Sequence, residues 1–177
     1  MAKYFVLVIF ILGFLGLGLG FFCGFALFGG TANLIILVLV SSFFLGAKKE
    51  GLIITLILAA FYDLYLYSFF GLSIIAVLLI YFLLSFLESK IAQRPGYLLV
   101  LASVFLASIV FDLFTKGGLS LKEKLDFLYI LAYNILPSAL LNLILALPFY
   151  LLARKIISLL KLYRLIEPQE KKYESFF

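Results

Sequence analysis

From Tyr4 to Ala47 the chain runs for forty-four residues without a charged side chain, and no core folded in water calls for an uncharged stretch of that length. About 20 apolar residues of helix cross a bilayer, so this stretch predicts two crossings, separated by Gly29-Gly30-Thr31-Ala32-Asn33. Further polar, charged or glycine-rich breaks fall at Gly46 to Gly51, Ser68 to Gly71, Glu88 to Gly96 and Thr115 to Asp126. Together they predict an all-α integral membrane protein with six transmembrane helices, near residues 4–28, 31–46, 51–67, 70–87, 97–114 and 127–153. Several of these hold 17 to 19 residues, about 26–29 Å of helix at 1.5 Å per residue, and would cross with little tilt.

Composition extends this class to the whole chain. Of 177 residues, 66% are hydrophobic and 13% charged, against about 25% charged in an average soluble protein. No separate soluble domain fits. Residues 1–153 are expected to form the membrane domain and residues 154–177 a basic amphipathic tail. Lys3 and the apolar run after it superficially suit a secretory signal, but a signal has a short apolar core and a small-x-small cleavage site, and Tyr4 to Phe28 supplies neither. Phe21 and Phe22 are likewise too large for lipoprotein processing at Cys23.

The charges orient the set, because positively charged loops stay cytoplasmic. With the N-terminus inside, eleven cations share the inner side: Lys3, Lys48, Lys49, Lys90, Arg94, Arg154, Lys155, Lys161, Arg164, Lys171 and Lys172. Three, Lys116, Lys122 and Lys124, fall outside. Both termini are therefore expected in the cytoplasm, with Tyr62, Tyr65 and Tyr67 near the outer surface as an aromatic belt. Arg154 to Ile166 places Ile156, Leu159, Leu160 and Tyr163 on one face and Arg154, Ser158 and Lys161 on the other. That pattern reads as an inner-surface helix held by membrane lipid, at about 1 kcal/mol per cation near an anionic surface. No nucleic-acid partner is expected.

A few residues inside the apolar segments stand out. Gly16, Gly20 and Gly24 form a four-residue strip where another backbone can approach closely, either within the bundle or on a partner. Gly51, Thr55 and Ala59 make a similar small-residue face in the third helix, ending at Asp63; Asp112 follows Ala107 and Ser108 in the fifth. Burying a carboxylate in lipid is expensive, so such residues are functional candidates, although both are expected near the outer interface, where bonds to loop amides or neighbouring helices would also account for them. Their surroundings repeat: Phe61-Tyr62-Asp63-Leu64-Tyr65 beside Val110-Phe111-Asp112-Leu113-Phe114, each followed by Gly-Leu-Ser. The last helix carries Asn134, Ser138 and Asn142 on one stripe, interrupted by Pro137 and Pro148. Polar amides in lipid turn toward the bundle interior, where they would bond across helices or line a small cavity.

Little supports catalysis. The chain has no histidine, its one cysteine has no base partner, and neither a nucleophile elbow nor a phosphate-cradling loop is present. A non-enzymatic protein without cofactor or metal is expected.

The ordered features of the third and sixth helices carry a resemblance. Thr55, Ala59, Asp63, Gly71 and Leu72 reproduce a run of small residues, an Asp and a Gly-Leu step, while Asn142, Pro148, Leu151-Leu152-Ala153 and Arg154-Lys155 reproduce an Asn, a Pro six residues on, apolar residues and a basic pair. In this order and spacing the chain resembles the MreD family, the small multi-spanning subunit of the bacterial cell-elongation complex. Thr55 and Ala59 replace glycines common in that family, and Ala32-Asn33 keeps only the Asn of its usual Pro-Asn. The resemblance implies a scaffold in the bacterial cytoplasmic membrane that binds MreC. Through that complex it would connect the MreB filament to RodA and its class B penicillin-binding transpeptidase, supporting peptidoglycan synthesis and the regulation of cell shape. It also implies the six-helix fold of the substrate-binding subunits of energy-coupling-factor vitamin transporters, and with it an alternative, the binding of a small solute.

Overall fold

A computed structural model describes residues 26–27, 30–66, 71–91, 96–123 and 127–162. These residues are almost entirely helical. A two-residue antiparallel bridge, β1 (Ala26–Leu27) with β2 (Gly30–Thr31), leads into α1 (Leu34–Phe44), α2 (Lys48–Leu66), α3 (Leu72–Ile91) and α4 (Tyr97–Glu123). A short α5 (Phe127–Ile130) then opens into a wide π turn, Leu131–Ile135, and continues as α6 (Leu136–Leu162).

The centre of the bundle is its shortest long element. α1 has eleven residues, of which Leu34 to Phe43 are all buried, and it packs against α2, α3, α4 and α6. A helix apolar on every side belongs at the middle of a bundle. At about 16 Å it is about half as long as a hydrocarbon core of about 30 Å, so the helix expected over 31–46 is shortened to Leu34–Phe44 behind an extended lead. The cause is local. Asn33, in extended conformation at φ −115° and ψ 102°, caps the helix by accepting from the Ile35 N–H, a preferred Asn role. At the other end Gly46, at φ +79°, turns the chain into α2.

Three segments are long and apolar enough to cross a membrane among the described residues: Leu72–Ser89, Tyr97–Gly117 and Leu128–Ser158. α2 is long enough, but Lys48, Lys49 and Glu50 occupy its first turn. The expected helix at 97–114 runs on to Glu123, so most of the loop expected at Thr115 to Asp126 is helix. The last helix continues past Ala153 to Leu162, making Arg154 and Lys155 part of a long helix in place of a separate surface one. The π turn sits where the Pro137 ring would crowd the preceding turn of an α-helix, and widening relieves that clash.

The surface is apolar where that of a protein in water would be polar. Ile75, Leu78, Leu79, Phe82, Leu83 and Phe86 form an exposed apolar ridge along α3, while Thr55, Asp63, Ser108, Asp112, Ser138 and Asn142 are buried. An apolar surface around a largely apolar core, with the polar groups turned inward, is the distribution a lipid-embedded bundle requires. Tyr62, expected in an outer aromatic belt, is half-buried, with its ring 5.9 Å from that of Phe111; Tyr65 and Tyr67 have side chains outside the described part. The 4–28 helix likewise lies outside it except at Ala26–Leu27, where the chain is extended.

Candidate functional site

On α2, Gly51, Thr55, Ala59 and Asp63 are all buried at four-residue spacing. Gly51 faces Ser42 of α1 so closely that a Cβ there would overlap the serine Cβ and Oγ. Thr55 satisfies its hydroxyl by donating to Gly51 O at 2.8 Å, and Ala59 is wholly covered. The face ends at Asp63, whose Oδ2 accepts from the Gly71 N–H at 2.8 Å and Oδ1 from the Ser73 N–H at 3.1 Å. Those amides open α3, so Asp63 caps the next helix across the turn and sets a negative charge at its positive end. Gly71, at φ +104°, supplies the backbone geometry that brings its N–H to the carboxylate.

The second carboxylate is held differently. Asp112 Oδ2 accepts from Lys116 Nζ at 2.9 Å, one turn on along α4. The same ammonium donates to Ser138 Oγ at 2.7 Å and lies 3.5 Å from Thr31 Oγ1. Ser138 in turn donates to the Asn134 carbonyl at 2.7 Å and accepts from the Thr31 N–H at 3.0 Å, so its one donor and two acceptor positions are filled. One turn deeper, Asn142 Oδ1 accepts from the Asn33 N–H at 2.7 Å and its Nδ2 donates to Ser108 Oγ at 3.1 Å. A donor on one side and a hydroxyl on the other fix the orientation of that amide. Ser108 passes the chain on to Val104 O at 2.8 Å.

Asn142 and Ser138 are both fully buried, while Asn134 is half-buried in the π turn and contributes its carbonyl. Among the described residues the network joins the chain before α1 to α4 and α6. No family model, curated protein or solved structure matches this chain. The chemistry of the site must be argued from its geometry.

At the opposite end of the bundle Lys48 pairs with Glu88, linking the start of α2 to the end of α3, and lies 4.7 Å from the Phe43 ring centre. Arg154 is half-buried and Lys155 exposed near the end of α6. The side chain of Lys161, and Arg164, Gly16, Gly20 and Gly24, lie outside the described part.

Lys116 is the residue that sequence reading misplaced. Counted as a loop cation, it stands on α4 as the partner of a buried Asp. The signal was available in the four-residue spacing from Asp112, which puts the two side chains on one helix face. Thr31 was also missed, because its backbone N–H, which no composition pattern marks, does the bonding.

Proposed function

We propose that this chain is a non-enzymatic scaffold subunit of the bacterial cell-elongation complex, of the MreD type. In this reading it crosses the cytoplasmic membrane six times with both termini inside and binds MreC. Through MreC it connects indirectly with MreB, RodA and the class B penicillin-binding transpeptidase. The observation that supports it most is the Asp63–Gly71 hydrogen bond. It gives a physical reason for the eight-residue step from Asp to Gly-Leu on which the resemblance rests, and the reason is helix capping, a task of shape. Asn142, the other carrier of the resemblance, likewise spends both ends of its amide inside the bundle.

The small-solute alternative needs polar groups free to converge on a ligand. Of the stripe Asn134, Ser138 and Asn142, the last two bond to the chain leading into α1. The scaffold reading is therefore preferred. Its test is purification of the tagged protein from native membranes, together with depletion of the protein in growing cells. MreC should co-purify, and depleted cells should lose rod shape. Co-purification of a paired transport ATPase, with shape retained, would replace the scaffold with the transporter. For the topology, cysteines introduced at Gly118 and Gln169 should react with an impermeant reagent from opposite sides; equal reactivity in intact cells would remove the six-span arrangement.

A further inference from the structure

The polypeptide between β2 and α1 lies where membrane proteins seldom place irregular backbone. Asn33 meets Asn142, which meets Ser108, and Ser108 stands eleven residues beyond Tyr97 at the start of α4. That is about 17 Å along the helix, near the middle of a hydrocarbon core of about 30 Å. Non-helical backbone at such depth must be buried in protein or line water. Here α6 buries it and supplies the missing partners from side chains.

The match is one of period. Thr31 and Asn33 present N–H groups two residues apart in extended chain, about 6.6 Å. Ser138 and Asn142 present acceptors four residues apart in a helix, about 6 Å. Extended chain and helix therefore run side by side with donors opposite acceptors, at 3.0 and 2.7 Å. Gly30 lets the two backbones touch, since a Cβ there would stand 2.5 Å from the Pro137–Ser138 peptide.

This attachment differs in kind from that of α1. Leu34 to Phe43 are gripped by the apolar core, whereas Gly30, Thr31 and Ala32 have little apolar side chain to bury and, among the described residues, are tied down by hydrogen bonds to α6. Lys116 completes the hold by bridging Asp112 of α4, Ser138 of α6 and the Thr31 hydroxyl. With 21% of its side chain exposed, Lys116 stands at the edge of the cluster, whereas Asp112 beneath it is 3% exposed. Segments with few apolar contacts are the ones that open locally.

We propose that Gly30–Asn33 is a strap that opens as a unit without the helices parting, and that Lys116 is its latch. This goes beyond the scaffold reading and does not depend on it. Opening would uncover the Thr31 and Asn33 N–H groups together with the Ser138 and Asn142 acceptors at one end of the bundle.

The test uses the full-length protein in detergent, in a Cys23→Ala background, with one reporter cysteine at a time and a water-soluble maleimide. Ala32→Cys reports the buried strap, Ala76→Cys the helical core and Lys49→Cys, outside the apolar spans, an exposed reference. Ala32→Cys should label far more slowly than Lys49→Cys. Adding Lys116→Met together with Asp112→Asn, which leaves no uncompensated buried charge, should raise the rate at Ala32 at least ten-fold relative to that at Ala76. A parallel rise at both positions would mean that the whole bundle loosens, and no rise at Ala32 would mean that Lys116 latches nothing; either overturns the proposal. So would Ala32→Cys labelling as fast as Lys49→Cys before the latch is removed, since the strap would then not be closed.

Discussion

Two stretches of this chain begin alike and end differently. Phe61-Tyr62-Asp63-Leu64-Tyr65 and Val110-Phe111-Asp112-Leu113-Phe114 both place an Asp between aromatic and apolar neighbours, and a Gly-Leu-Ser follows each. After Asp63 the helix stops within a few residues, and Gly71 and Ser73 turn their amides back to the carboxylate. After Asp112 the helix continues through the second Gly-Leu-Ser to Glu123, leaving no free amides to fold back, and Lys116 takes their place. The lesson concerns how a membrane bundle buries a carboxylate. A helix N-terminus neutralises it with dipoles, whereas a continuing helix must bring a cation.

The contrast breaks most readily at the cation. Lys116→Met should destabilise the protein by about 3 kcal/mol, because removing one partner leaves the other charge buried and uncompensated. Asp112→Asn with Lys116→Met should cost less than Lys116→Met alone, since the double change removes both charges. Denaturant unfolding in detergent, followed by helical signal, reads both, and a fully stable Lys116→Met would erase the distinction between the two sites. In the half of the bundle that relies on close packing, Gly51→Ala should cost about 1–3 kcal/mol by overpacking, and Ser42→Gly should recover much of it. Failure of that rescue would mean that Gly51 is needed for something other than its contact with Ser42. Asp63→Asn should cost about 1–2 kcal/mol: an amide offers one acceptor oxygen to two N–H groups, so one donor at the start of α3 loses its partner. Complete preservation would show that one of the two bonds contributes nothing. The smallest effect belongs to Ser103, whose buried hydroxyl has no hydrogen-bond partner among the described residues. Ser103→Ala should change stability by no more than about 0.5 kcal/mol, and a larger loss would reveal a partner in the part of the chain not described.

Much of this was legible in advance. Apolar run lengths located α3 and the long helices beginning at Tyr97 and Phe127, and four-residue spacing located the buried faces ending at Asp63 and running through Ser138 and Asn142. Helix ends were the harder part. Composition treated Thr115 to Asp126 as loop because of its charges, but a Lys one turn after an Asp supports a helix. Likewise, the apolar run from Leu34 hid that Thr31 to Asn33 is extended. Its stability in that form comes from Ser138 and Asn142, more than a hundred residues away. Local pattern carries no record of partners at that distance.

That the charges within this bundle serve assembly and not chemistry is tested most directly with the charge-free pair, Asp112→Asn with Lys116→Met, expressed in cells depleted of the native protein. Co-purification of MreC and restoration of rod shape are scored together on protein verified as folded by its unfolding transition. Under the proposed scaffold function, a structural role for the pair predicts that the folded variant captures MreC and restores shape. A variant that folds and captures MreC yet leaves the cells round would contradict it, because the ion pair would then have a charge-dependent task beyond holding the helices together.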